Sequence, residues 1–299
     1  MLKRIKDIKI LVVGDIMLDH YVCGEVERIS PEAPVPILRI TEEYHTLGGC
    51  GNVIRNIKSI GANVTCIAAI GNDLAGKKIM DELDLLGVKT NLIIKEEMTT
   101  RKTRFIANNG HIQMFRVDRE NVKYVKSNSF KIEDDYDIII VSDYAKGMIT
   151  ADIMNKLKNK DVPIIVDPKP KNMWLYNDVF MITPNKKEYN EICTSDQHPF
   201  TRGIRYILNT LGKEGMQLME EQLGELKVCS VPTIPVDVFN VTGAGDTVVA
   251  VVGVCVAMGL DVEASIKVAN SCAQYVVTQP GTSVVSKKMF KGFVREFNK

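Results

Sequence analysis

Short runs of uninterrupted apolar residues alternate along this chain with longer stretches of helical spacing. Runs of strand length fall at 8–13, 64–70, 138–141, 163–166 and 179–182. They are apolar throughout rather than at every second position, so both faces of each strand are expected to be buried, as in a parallel sheet covered by helices. Helical spacing fits 52–60, 75–86, 150–159, 247–258 and 262–278. Several of these stretches stop at a glycine (Gly61, Gly87, Gly259), the residue that most easily adopts the left-handed turn ending a helix. The alternation predicts an α/β fold. Two segments break it, 34–45 and 101–117, and their β-type sequence predicts a small β appendage over the sheet edge. No repeat or Pro/Gly/Ser-rich linker divides residues 1–299, so one domain is expected, with a β lid built from about 20–45 and 99–120.

Composition narrows the partners. With 45% hydrophobic and 25% charged residues the chain is an ordinary globular sequence, and a formal net charge of +1 leaves no electrostatic footprint for nucleic acid or a membrane surface. Small molecules are the expected partners. The first residues, MLKRIKDIKILVVGD, lack a signal-cleavage pattern and no apolar stretch has the length of a membrane span, so a cytoplasmic location is expected. Seven cysteines with no CxxC pair argue for reduced, buried thiols over a disulfide framework or a zinc site. Cys50 falls within a glycine-rich motif, where packing is the favoured role.

The chemistry concentrates in the run Asn240-Val241-Thr242-Gly243-Ala244-Gly245-Asp246-Thr247, where an extended segment gives way to an apolar helix. Glycines at a helix N-terminus let an anion approach free N–H groups and the positive end of the helix dipole. A carboxylate beside that anion is unfavourable unless it works, for instance by taking a proton from an attacking hydroxyl. With the ordinary carboxylate pKa of ~3.9, Asp246 is expected to be ionised at neutral pH. The reading is phosphoryl transfer to an alcohol; taken alone, the run also fits a glycine turn capped by Thr242 or Asp246. Upstream, Gly14-Asp15-Ile16-Met17-Leu18-Asp19 places two acids at the end of the first strand, where open α/β sheets bind ligands, and Asp15 and Asp19 are candidates for sugar hydroxyls. Gly48-Gly49-Cys50-Gly51-Asn52 precedes a helix, and Asn52 offers both a donor and an acceptor.

These three motifs, in this order, resemble the signatures of the PfkB, or ribokinase-like, sugar kinases. Further segments narrow the resemblance: RISPEAPVPIL (28–38), TTRKTRFIA (99–107), FRVDRE (115–120), VSDYAKG (141–147), VDPK (166–169) and TPN (183–185) are similar to the kinase domain of the D-glycero-β-D-manno-heptose 7-phosphate kinases. The resemblance implies a ribokinase-like, Rossmann-type three-layer fold with a small β lid. It also implies ATP and Mg2+ as co-substrates and phosphorylation of the anomeric 1-hydroxyl, the product entering ADP-heptose synthesis. Gly243, Ala244 and Gly245 become the anion-hole donors and Asp246 the base. Gly48, Gly49, Asn52 and Asp143 join Asp15 and Asp19 on the sugar side, with Tyr144, Ala145 and Lys146 in a loop lining the sugar. Asn185 and Glu188, Gly212 and Gly215, Thr242 and Asn270 fall on the nucleotide side, with Glu188 reaching the metal through water. The sequence has no HxGH segment like that of the bifunctional relatives, so a separate nucleotidyltransferase is expected.

A sugar phosphate brings about −1.5 to −2 charges, by analogy with other phosphate monoesters, and needs cations. Lys102 and Arg104 share one strand face and, with Arg116 and Lys169, are the candidates. Lid strands that pair between subunits, as in the family, would make a homodimer. Two features depart from the pattern: Asn240 stands where many members carry Asp, and the stretch 186–210 is about one helix short. They leave open a relative that binds sugar phosphate without turnover, beside a kinase acting on fructose, ribose or a nucleoside.

Overall fold

The computed structural model of the chain describes residues 2–107, 112–132, 135–194, 198–222, 224–279 and 281–298. After a 3-10 turn at Ile5–Asp7, β1 (Lys9–Gly14) leads at once into two long strands, β2 (Ile16–Ile29) and β3 (Pro36–Gly49). Next come α1 (Cys50–Ile60), β4 (Asn63–Gly71), α2 (Leu74–Leu85), β5 (Lys89–Lys95), β6 (Arg101–Ala107) and β7 (Ile112–Arg119). Alternation then resumes through β8 (Ile138–Ser142), α3 (Ala151–Lys158), β9 (Ile164–Asp167), β10 (Met181–Ile182), α4 (Lys186–Cys193) and β11 (Tyr206–Thr210). The antiparallel pair β12 (Met216–Gln222) and β13 (Glu225–Val231) follows, and α5 (Ala244–Met258), α6 (Val262–Val277) and α7 (Lys287–Phe297) close the fold.

Among the described residues, the larger sheet has nine strands in the order β13-β12-β11-β10-β9-β8-β1-β4-β5. Its continuous apolar strands feed two cores at once: Ile10, Val12, Ile138 and Ile140 point to one face, while Leu11, Val13, Ile139 and Val141 point to the other. On the first face lie α1, α2, α5, α6 and α7; α3 and α4 cover the second. Helix α5 is apolar on nearly every side because the sheet covers one flank and α1 and α6 the others.

The expectation of a parallel sheet needs correction at one edge. From β5 to β11 every pairing is parallel, but β11–β12 and β12–β13 are antiparallel. Only Leu211–Gly215 separate β11 from β12, too short a connection for a parallel crossover. The extended run before the glycine motif forms a strand only to Val231, since Pro232 and Pro235 cannot donate to a ladder. Helix α5 begins at Ala244, three residues earlier than the apolar pattern indicated. The stretch 186–210 holds α4 and a short 3-10 turn, Pro199–Arg202. Residues 195–197 of this stretch lie outside the described residues.

A second sheet, ordered β3-β2-β6-β7, accounts for both segments that broke the rhythm. Strand β2 starts two residues after β1 ends, so the acids of GDIMLD sit where the two sheets meet. The inner half of β2 is buried and its outer end is exposed.

Helix α7 contributes Phe290, which is fully buried against the first core. Phe290→Ala should destabilise the fold by about 3–5 kcal/mol, as for other large-to-small core changes. Urea unfolding followed by circular dichroism measures this, and a loss below about 1 kcal/mol would show that α7 packs only loosely.

Candidate active site

Gly243 caps α5 with a φ of +84°, and a Cβ there would lie 2.6 Å from Asn52 Nδ2 and 2.7 Å from Thr282 Cγ2. Both the left-handed backbone and the close approach of α1 require glycine. At Gly245 a Cβ would meet nothing within 4 Å, so the helix terminus opens onto free space. The Ala244 N–H already donates to Val241 O at 3.3 Å, so of the three candidate anion donors it is the one engaged within the protein. Among the described residues no acceptor faces the N–H groups of Gly243, Gly245 and Asp246, as expected for a first helical turn. Asn240 Oδ1 accepts the Thr242 N–H at 2.9 Å and fixes the preceding turn; the Thr242 side chain is exposed and lines neither cavity described below.

The Asp246 carboxylate is held from two sides. Asn52 Nδ2 donates to Oδ2 at 2.8 Å, and the Tyr144 hydroxyl donates to Oδ1 at 2.9 Å. Burial pushes its pKa to about 6, against the bonds from Asn52 and Tyr144; Asp19 adds to the rise and Lys102 opposes it. The ordinary carboxylate value expected from sequence is therefore corrected upward.

On the smaller-sheet side, the two acids of GDIMLD divide. Asp15 accepts the backbone N–H groups of Tyr144 and Lys146, each at 2.9 Å, and of Met148 at 3.0 Å. It fixes the loop after β8, so its carboxylate is already engaged by the protein. Asp143 is likewise occupied, by the Ala145 N–H at 2.5 Å, by Asn172 Nδ2 at 2.8 Å and by the Tyr176 hydroxyl. Asp19 faces the site and accepts from Arg104 Nη1 at 2.6 Å. A Cβ on Gly48 would lie 2.4 Å from Asp19 Oδ2, so glycine there makes room for the carboxylate. Gly49 is the N-cap of α1, while the Cys50 N–H donates to Asp15 O. Cys50 itself is fully buried, and burial with a bond to Cys66 pushes its thiol well up, in keeping with packing.

The four candidate cations also separate. Lys102 Nζ lies 5.4 Å from the Tyr144 ring centroid and, among the described residues, has no carboxylate within ion-pair distance. Burial lowers its pKa against the pull of Asp19. Arg116 lies opposite Arg104 across β6 and β7, but its fork is closed on Asp118 at 2.8 and 2.9 Å. Lys169 stands apart from this group: it pairs with Glu188 and lies 5.3 Å from the Tyr144 ring. Its ion pair with Glu188 ties it to the chamber rather than to the smaller sheet.

Two cavities meet at the start of α5. A polar chamber of about 160 Å³ is lined by Asp246, Tyr144, Asp167, Lys169 and Glu188, among others. A larger slot of about 530 Å³ has apolar walls, including Val236, Val238, Val248 and Val277, and includes Gly212, Gly215 and Asn270. Thr210 and Gly245 line both. Asn270 Nδ2 donates to Pro232 O at 2.9 Å, tying α6 to the chain after β13. An apolar slot leading to bare helix N–H groups and a charged chamber suits a nucleotide, with its base in the slot and its phosphates at Gly245.

Asn185 and Glu188 form a capping box: the Glu188 N–H donates to Asn185 Oδ1 at 3.0 Å and the Asn185 N–H to Glu188 Oε2 at 3.1 Å. The NxxE spacing is therefore first a helix cap, with the remaining Glu188 oxygen on Lys169. Sequence reasoning missed Asp167 in the same chamber, although it ends a parallel strand as Asp15 ends the first. Burial raises its pKa well above the carboxylate range; Asp246 adds to the rise and Lys169 opposes it. This crowd of acids suits a hard divalent cation. Among the described residues, however, no three acids of the chamber lie close enough to ligate one ion directly, which fits magnesium held through phosphates and water. His20, Glu43 and His45 do cluster on the smaller sheet, but the Lys78 ammonium, 3.0 Å from His45 Nε2, opposes a cation there.

Among the described residues no helix is long and apolar enough to cross a membrane. The bifunctional protein HldE of Campylobacter concisus is 37% identical over 305 residues, covering 94% of this chain; the chain in turn spans 63% of that relative's length. Escherichia coli phosphofructokinase-2 in complex with potassium superposes with a TM-score of 0.78 at 16% identity, covering 100% of both chains. Arabidopsis thaliana ribokinase complexed with ribose and ATP gives 0.73 at 19% identity, covering 97% of this chain and 99% of its own. At those identities the two structures speak to the fold alone, which is ribokinase-like. Residues 7–289 match the family described as pfkB family carbohydrate kinase, and the chain belongs to that family.

Proposed function

We propose that the chain transfers the γ-phosphoryl group of ATP to the anomeric 1-hydroxyl of D-glycero-β-D-manno-heptose 7-phosphate, giving the 1,7-bisphosphate used to make ADP-heptose. The observation that carries the reaction is the chamber in which Asp246 sits between a nucleotide-sized slot and cations of the smaller sheet. The similarity to HldE over nearly the whole chain supports the choice of sugar. Asp246 orients the 1-hydroxyl and accepts its proton as O1 bonds to the γ-phosphorus and the bond to the β-phosphate oxygen breaks, releasing ADP. The N–H groups of Gly243 and Gly245 stabilise charge on the transferred group. Bound magnesium supplies neutralisation of the phosphate oxygens, and Asp167 and Glu188 are the carboxylates that would hold its water shell. Lys102, without an ion pair among the described residues, brings its charge to the acceptor side, and Arg104 stays oriented by Asp19. The smaller sheet is proposed to close over the site as a lid with the face that carries Lys102 and Arg104, and its opposite, exposed face, with Phe115 and Val117, to pair with a second copy.

Coupled ADP release tests the substrate directly. Turnover is expected with the heptose phosphate and to be at least about tenfold slower with fructose 6-phosphate, fructose or ribose; preferred use of a neutral sugar would discard the substrate while keeping the reaction. Asp246→Asn should lower kcat by about 10²–10⁴-fold with little change in sugar affinity. Because the base must be ionised, the wild-type rate should fall as pH drops through about 6; a flat profile from pH 7 to 5 would remove Asp246 from the role. Lys102→Ala and Arg104→Ala should raise KM for the sugar phosphate about tenfold or more and leave that for ATP nearly unchanged, and equal effects on both would refute the assignment. Sedimentation should show a dimer that Phe115→Asp converts to monomer; a monomeric wild type would overturn the pairing.

A further inference from the structure

We propose that Tyr144 is a positioning residue for the base: its hydroxyl locks the Asp246 carboxylate in the orientation that takes the acceptor proton, and its ring is gripped by one cation from each substrate side. The proposal rests on the reading of Asp246 as the base in phosphoryl transfer. With Asn52 on Oδ2 and Tyr144 on Oδ1, the carboxylate cannot turn about its Cβ–Cγ bond without breaking both bonds. Each carboxylate oxygen has a further lone pair, so this clamp still leaves capacity to accept a proton.

Tyr144 is itself unusually constrained. Its backbone N–H donates to Asp15, and the next residue, Ala145, is held at a φ of +56° although it is not glycine. Such a conformation persists only where its surroundings enforce it. Here Asp15 and Asp143 supply that enforcement from either side of the loop. The ring then receives Lys102 at 5.4 Å from β6 and Lys169 at 5.3 Å from the end of β9, both within cation–π range. Lys169 is in turn held by Glu188 of α4. One phenol thus touches the base, a cation of the acceptor side and a cation of the nucleotide side.

A phenol suits this position because it stays a donor. Burial and the nearby Asp246 keep the Tyr144 hydroxyl well above its ordinary pKa, so it does not ionise in the working range. The other groups facing Asp246 are Asp19 from β2, Lys102 from β6, Asp167 from β9, and Cys50 and Asn52 from α1.

Tyr144→Phe deletes the hydroxyl and keeps the ring and both lysine contacts, so the melting temperature is expected to stay within a few degrees, about the effect of one lost hydrogen bond. The expected result is a kcat lower by about tenfold or more, with KM for both substrates within about twofold. The acidic limb of kcat should move up by roughly half to one pH unit, since a bond that favours the ionised base has gone. Unchanged kcat and limb would overturn the proposal. A second measurement needs no turnover: the Asp246 carboxyl carbon, assigned in 13C NMR by its loss in Asp246→Asn, is titrated in wild type and in Tyr144→Phe. A higher midpoint in the variant supports the clamp, and an identical midpoint refutes it whatever the enzyme phosphorylates. Normal turnover by Asp246→Asn would instead sink the base reading, a failure visible separately from either titration.

Discussion

The site depends on keeping a carboxylate buried where a helix begins. Burying Asp246 is unfavourable, and two donors from different parts of the chain offset it: Asn52 from α1 and Tyr144 from the loop after β8. The positive end of the α5 dipole helps in the same direction. For Asn52 to reach Asp246, α1 must lie close against α5, and Gly243 permits that approach. The pairing continues one turn further on, where the Thr247 hydroxyl meets Asn56 Oδ1 at 3.1 Å. The apolar character of the rest of α5 follows, since a helix packed against both a sheet and two other helices has no solvent face on which to place polar residues.

Charge pairing then determines which groups remain for ligands. Arg104 is matched by Asp19, Lys169 by Glu188, Lys146 by Glu120, and Arg116 by Asp118. Asp15 and Asp143 are used internally, accepting from a loop whose N–H groups would otherwise be buried without partners. What is left lies at or beside the chamber: Asp167 and Asp246 line it with more negative charge than nearby lysines offset, and Lys102, over the Tyr144 ring, has no ion pair among the described residues. Partly buried charge lacking a partner in the protein is the mark of a site completed by its substrates.

Much of this was legible in the sequence, and the failures have physical reasons. Uninterrupted apolar strands could be read because burial on both faces leaves one pattern. Strand β5 escaped because half-exposed edge positions, as in KTNLIIK, mix polar and apolar residues. Helix α4 carries few apolar residues, with only Ile192 buried, whereas the amphipathic spacing of α7 was a usable signal. Sequence order located the glycine motif and its carboxylate, but it could not separate Asp15 from Asp19. That distinction depends on whether a loop more than a hundred residues later brings its N–H groups to one acid or leaves the other for an arginine. Asp167 was within reach of the strand-end rule that singled out Asp15.

Asn240 contributes an acceptor oxygen to the Thr242 N–H, a bond an aspartate carboxylate would also make, so the turn before Gly243 does not depend on charge at position 240. Among its described residues, the stretch 186–210 borders the chamber through Glu188 and Thr210. The nucleotide-sized slot takes its walls from 210–216, 233–248 and 270–277, and none of the described residues between α4 and β11 lines it. The donors at α5, the clamp on Asp246 and, Thr210 apart, the described lining of the apolar slot thus arise from other segments of the chain.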